Sequence, residues 1–262
     1  MTLRKNIIYR FFSIILLSKG VSDINVVSYG WEVFERNSDS RTLALAQSSI
    51  GYPIQNPGTV LLNPALSLSH NNMIGLTHQS RMSGTSNSEF IGFDKYINDS
   101  SWVSVIILYE GVDGIPDTRG ALLDWGLDGI FGTFDVGEGN GSLDEGERLD
   151  VDKIRFFNQN IFGLYGAHSK IFNNWRIGFG LKIMLHTIDK EFGIGAGLDI
   201  GAFRNYNNTG IGLIVKNLPS SGLIWESGNI EISPPSLHFG LHQKFSVSKY
   251  ELEINPMLRG NI

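Results

Sequence analysis

From Trp175 to Ile188 the chain alternates with a period of two. Trp175, Ile177, Phe179, Leu181, Ile183 and Leu185 fall on one face, and Arg176, Gly178, Gly180, Lys182, Met184 and His186 on the other. Side chains of a β-strand point alternately to opposite sides, so the pattern predicts a strand with one wholly apolar face and one of small or charged residues. Residues 191–203 repeat it, with Phe192, Ile194, Ala196, Leu198 and Ile200 set against Gly193, Gly195, Gly197, Asp199 and Gly201. Residues 236–247 do so again, with Leu237, Phe239, Leu241, Phe245 and Val247 against His238, Gly240, His242, Lys244 and Ser246. Shorter runs at 210–217 and 251–254 follow the rule, and weaker alternation marks 70–82, 89–97, 102–110 and 160–170. That makes about nine strands.

Strands of this length and polarity predict an all-β fold, an antiparallel transmembrane β-barrel with lipid against the apolar faces. Arg176, Lys182, His186, Asp199, Lys216, His238, His242 and Lys244 would then line a polar interior. The competing fold is a soluble β-sandwich, whose apolar faces pack on each other. Two features favour the membrane. Aromatics (Trp102, Trp175, Phe192, Phe203, Phe245, Tyr250) sit near strand ends, where interfacial girdles belong. Connections also alternate, short at 98–100, 173–174, 205–208 and 248–249 and long at 83–88, 111–153 and 218–235, with the short link after Ile188 as the exception. Outer-membrane barrels have short periplasmic turns and longer outer loops, which makes 111–153 an extracellular insertion.

Composition narrows the function. A net charge of −5 without a basic run argues against a nucleic-acid partner. The absence of cysteine removes disulfides, thiolate metal sites and thiol nucleophiles together. No Ser/His/Asp set or paired carboxylates stand out, so an enzyme is not expected. His238 and His242 lie about 13 Å apart along a strand, too far to share a metal. The glycine runs at 193–197 and 137–139 are similar to phosphate-binding loops, but neither opens a helix, as a dinucleotide site requires. In residues 1–22, Arg4, Lys5 and Arg10 come ahead of an apolar run from Phe11 to Leu17. This reads as a secretory signal, with a run too short to span a bilayer.

Within the long insertion the chain reads DVGEGNGSLDEGE from Asp135 to Glu147. A calcium loop needs oxygen ligands at near-alternate positions, a glycine at the turn and a terminal bidentate carboxylate. Taking Glu147 as the last ligand places Asp144, Gly141, Asn140 and Glu138 in register, with Asp135 one residue early. Asp135, Glu138, Asn140, Asp144 and Glu147 are therefore the candidate calcium ligands, and calcium is the one cofactor the sequence suggests. Extracellular loops of this kind bind at about 10⁻⁴ to 10⁻³ M. The other reading is a solvated acidic loop that needs no ion.

Ahead of the first strand, SSIGYPIQNPGTVLLNPALSLSH contains Asn63-Pro64-Ala65. This triplet resembles the NPA segment of FadL-type outer-membrane barrels, and more narrowly of their PorV/PorQ branch. Residues 29–52 resemble that family's N-terminal segment. NNWRIGFGLKI, IGLIVKNL and PPSLHFGLHQKF resemble three of its strands, in the family's order. The resemblance implies an N-terminal segment over 23–69 that plugs the lumen, anchored by the NPA turn, and a barrel over 70–262. It implies residence in the bacterial outer membrane. The function would be type IX protein secretion or surface attachment, with exported proteins or secretion-machinery components as partners, or FadL-like passage of hydrophobic small molecules. Departures are the scarcity of glycine in 29–52 and a strand count below the family's, which points to a C-terminally truncated member. The alternative is a secreted, soluble, calcium-binding β-rich surface module.

Overall fold

The computed structural model describes residues 24–26, 30–36, 39–67, 71–247 and 251–262. The expected signal over 1–22 lies outside them, as do Tyr29 and Tyr250.

The chain forms one large sheet, antiparallel but for a short parallel strand at one end. Its long strands are β2 (Met73–Arg81), β3 (Ser86–Asn98), β4 (Ser101–Asp117), β7 (Arg155–Phe172), β8 (Trp175–Ile188), β9 (Glu191–Tyr206) and β10 (Thr209–Trp225). Each pairs antiparallel with the next. Beyond β10 the sheet divides. The second half of β10 takes β11 (Ile230–Ser233), which a short β1 (Ile24–Val26) joins in parallel. The first half takes β12 (Ser236–Gln243), which pairs in turn with β15 (Met257–Asn261). The eleven-stranded sheet does not close: among the described residues β2 ends it on one side, and β1 and β15 end its two branches on the other. Two small hairpins stand apart, β5 (Leu122–Leu123) with β6 (Arg148–Leu149), and β13 (Phe245–Val247) with β14 (Leu252–Ile254).

Tight turns follow local chemistry. Asn173 and Asn174, between β7 and β8, both hold positive φ, at 48° and 65°. A two-residue hairpin of this hand requires that, and asparagine tolerates it.

Four expectations about the strands need correction. Residues 111–117, read as the start of the long insertion, continue β4 across a register shift between Val112 and Ile115. The strand foreseen over 236–247 stops at Gln243, because β10 begins at Thr209 and offers no partner beyond that pair. Residues 218–225, read as a loop, continue β10. Register shifts between Val215 and Leu218 and between Leu218 and Gly222 break the alternation that would have betrayed the strand. The closing residues NPMLRGNI supply β15, too short to show a period.

The sheet's two faces are opposite in kind. Outward, Ile74 and Leu76 on β2 are 72% and 73% exposed, and Ile194 and Leu198 on β9 are 51% and 47%. Inward lies the N-terminal segment: α1 (Val33–Arg36), α2 (Ser40–Ala44) and three 3₁₀ turns at Ser49–Gly51, Pro57–Leu61 and Pro64–Leu66. Trp31, Val33, Phe34, Val60 and Leu61 bury against Phe90, Ile106, Leu108, Tyr165, Met184 and Leu223, which come from five different strands. One short segment also meets β2 through Pro57 and β15 through Gln47, so the sheet curves round it. Each fully buried Leu, Val or Phe of that segment contributes about 1.5–3 kcal/mol of transfer free energy.

Candidate functional site

The inner face is the place where the sequence's unusual residues converge. Asn63 is fully buried. Its Oδ1 accepts the Ala65 N–H at 3.0 Å, which caps the Pro64–Leu66 turn. Its Nδ2 donates to the carbonyls of Ala202 on β9 (3.1 Å) and Leu213 on β10 (3.3 Å). An amide is the side chain that donates twice and accepts at the same point, so this one residue ties a turn to two strands.

The turn approaches the sheet closely because the sheet offers glycine beneath it. A Cβ at Gly178 would strike the Ala65 backbone, and one at Gly201 the Asn63 side chain. Gly210 and Gly212 lie under the carbonyls of Gly51 and Ile50 in the same way, and a Cβ at Gly240 would stand 2.7 Å from the Gly51 nitrogen. These glycines come from β8, β9, β10 and β12. Together they form a seat for residues 50–65.

Charged residues on the same face fasten the segment. Lys182 meets Asp199 at 2.8 Å and donates to Asn217 Oδ1 at 2.6 Å. Asp199 also accepts from the Asn217 N–H (3.0 Å) and the Tyr165 hydroxyl (3.3 Å), while Ser221 Oγ donates to Asn217 Oδ1 at 2.9 Å. The Lys182 ammonium lies 5.7 Å from the Trp31 ring centre and 5.9 Å from that of Phe34. A buried charge pair is tolerable only when its remaining donors and acceptors are met, and here they are. Arg176 donates to the Ser67 carbonyl at 2.8 Å and covers the Trp102 ring at 4.4 Å. Lys216 stands 3.7 Å from Glu35, Arg259 donates to Gln47 Oε1 at 3.0 Å, and His242 packs on Tyr52 with ring centres 4.3 Å apart.

Of the residues read as interior, Arg176, Lys182, Asp199, Lys216, His238 and His242 are buried on this face. His238 bonds Ser236 Oγ at 2.9 Å and His242 bonds Asn255 at 3.0 Å, so the two imidazoles have separate partners. His186 is half-buried between Gln159 and Trp225. Lys244 differs: past the end of β12 it pairs with Glu253 at 2.5 Å and takes no part in the inner face. Glu35, Tyr165, Asn217, Ser221 and Arg259 went unread in the sequence. No local spacing marks them, since each matters only through the strand or segment opposite.

The acidic loop is held by its own backbone. Asp124 accepts the amides of Gly139 and Gly141, each at 2.7 Å, and Glu147 accepts those of Gly126 (2.9 Å) and Asp144 (3.0 Å). The amide bond from Gly141, reinforced by that from Gly139, holds the Asp124 carboxyl below its ordinary range. Asp135 accepts from the Asp128 N–H at 2.8 Å, Glu138 from Gly132 and Phe134, and Asn140 donates to Asp144 at 2.5 Å. Glu138 and Glu147 thus turn both oxygens toward backbone amides and Asp135 one of its two, while among the described residues the other Asp135 oxygen is buried without a partner. Among the described residues no three carboxylate or imidazole side chains are grouped so as to hold a metal ion.

No protein-family model, curated protein or solved structure matches this chain.

Proposed function

We propose that this chain is an outer-membrane protein of the β-barrel type, with a plugged interior, acting as a surface partner in protein secretion or attachment. One observation carries the reading: the apolar faces of the long strands stay exposed while the charged and glycine faces are buried. A soluble sandwich does the reverse, packing its apolar faces together. A lipid bilayer is the solvent that rewards the arrangement. Lipid leaves no backbone group free to meet water, so in a bilayer the β2 and β15 edges would have to be paired.

The plug favours docking over passage. Asn63, Arg176, Lys182, Lys216 and Arg259 each tie the segment to the sheet, so a hydrophobic solute could pass only after those bonds break. Docking has a surface in the acidic link, which exposes Phe131 (76%), Phe134 (92%) and Val136 (83%). Exposed apolar groups rimmed by carboxylates are the chemistry of a protein contact. The proposed partners are therefore membrane lipid and an exported protein.

Membrane fractionation tests the reading. After expression with its N-terminal region in a bacterium with an outer membrane, the protein is expected to resist alkaline carbonate and to be released only by detergent. Folded protein recovered from the soluble periplasmic or culture fraction would overturn the proposal in favour of the secreted surface module.

A further inference from the structure

Part of the acidic link folds inside out. Over residues 127–138 the Leu127 N–H meets the Val136 carbonyl at 3.1 Å, which closes a loop. Carboxylates turn into it: Asp135 accepts the Asp128 N–H at 2.8 Å, and Glu138 accepts the amides of Gly132 and Phe134. The apolar side chains turn out. Leu127, Ile130, Phe131, Phe134 and Val136 are each at least 60% exposed. Phe134 also holds φ at 56°, a left-handed conformation that an aromatic residue adopts only at a cost. The loop therefore keeps an aromatic ring in water, and a second molecule that covers this surface gains the apolar burial that the chain itself forgoes.

Charge says what kind of molecule fits. From Asp124 to Glu147 the chain carries seven carboxylates and no Lys, Arg or His. Most of the hydrogen bonds these groups accept come from backbone amides, which bring no net charge. Arg148, the next residue in sequence, lies over the Trp125 ring. The field around the apolar residues thus stays negative. It repels a nucleic acid or an anionic lipid surface, whereas a polypeptide with Lys or Arg beside apolar side chains complements both features at once.

We propose that the loop over residues 127–138 docks a basic segment of a partner polypeptide, with Phe131 and Phe134 as its apolar anchors and the surrounding carboxylates as its complementary charge. This rests on the docking role proposed above and names the chemistry of the partner.

Fluorescence anisotropy tests it, with dye-labelled Lys-Phe-Lys-Phe-Lys, Gln-Phe-Gln-Phe-Gln and Glu-Phe-Glu-Phe-Glu peptides titrated with the purified full chain in one detergent. At about 0.01 M salt, where the Debye length is about 30 Å, the basic peptide should bind roughly tenfold tighter than the neutral one, and the acidic peptide most weakly. That margin should close near 1 M salt, where the Debye length is about 3 Å. Phe134→Gly removes the ring and leaves a residue that tolerates positive φ. Combined with Phe131→Ser, it should weaken the basic peptide roughly tenfold or more. Equal binding of the neutral and basic peptides, lost in the double variant, would overturn the charge inference while the docking role stands. Basic-peptide binding that the double variant leaves unchanged would overturn the anchors and reduce the contact to ion pairing. If none of the three peptides binds the native chain, the docking role falls together with the inference.

Discussion

On the outer face of β8, Phe179, Leu181, Ile183 and Leu185 stand 37% to 56% exposed, whereas Gly178, Gly180 and Lys182 on its inner face are buried. The outer residues are interchangeable in kind: any apolar side chain of moderate size meets the requirement. The inner residues are not. Gly178 must lack a side chain because Ala65 lies over it, Gly180 because the Tyr165 hydroxyl does, and Lys182 must reach Asp199. One face of a single strand is thus written by its solvent, the other by neighbouring strands and by a segment more than a hundred residues away in the chain.

The largest effect should come from breaking the inner charge pair. Lys182→Met strands a buried Asp199, a loss of about 3–5 kcal/mol, read as a lower denaturation midpoint. Lys182→Met combined with Asp199→Leu should recover most of it, because an apolar pair leaves no charge without a counter-ion. A single-variant loss below about 1 kcal/mol, the range of exposed pairs, would mean that water reaches this network. The neighbouring Leu181 sharpens the contrast. If its face meets lipid, Leu181→Arg costs about 2–4 kcal/mol near the bilayer midplane, measured by refolding into vesicles. A vanishing cost there would mean that no lipid meets this face, while leaving the inner network intact.

The difference between faces also explains what the sequence disclosed. Period-two alternation located β8 at Trp175–Ile188 to the residue and placed the start of β9 at Glu191, because both strands run unbroken between tight turns. It lost β10 at its register shifts and β15 for want of length. The interior was half legible. That Lys182 and Asp199 share a face follows from parity, but that they meet follows from the register pairing Gly180 with Asp199, which no one-dimensional pattern contains. The inner glycines read as mere smallness until the N-terminal segment lay on them. Lys244 misled for the opposite reason: its parity was right and its strand had ended.

The smallest effect is expected in the acidic loop, whose residues are largely exposed. Two backbone amides donate to Asp124, Gly141 and Gly139, and favour its ionised form. Its folded pKa therefore lies below the ordinary value of about 3.9. This contribution to stability is fully present above the unfolded pKa and is lost as pH falls through the folded one. The Gly139 and Gly141 amide resonances should hold steady from neutral pH to about 5 and then shift together with a midpoint under 3.9. Asp124→Asn should flatten that titration. A midpoint at or above the ordinary aspartate value would show the loop's hydrogen bonds to be absent in solution. Calcium at about 1 mM, the affinity range of extracellular loops, should leave the same resonances in place at neutral pH, since most of the oxygens it needs already accept hydrogen bonds within the loop. A saturable shift would mean that Asp135, Glu138, Asn140, Asp144 and Glu147 rearrange around the ion.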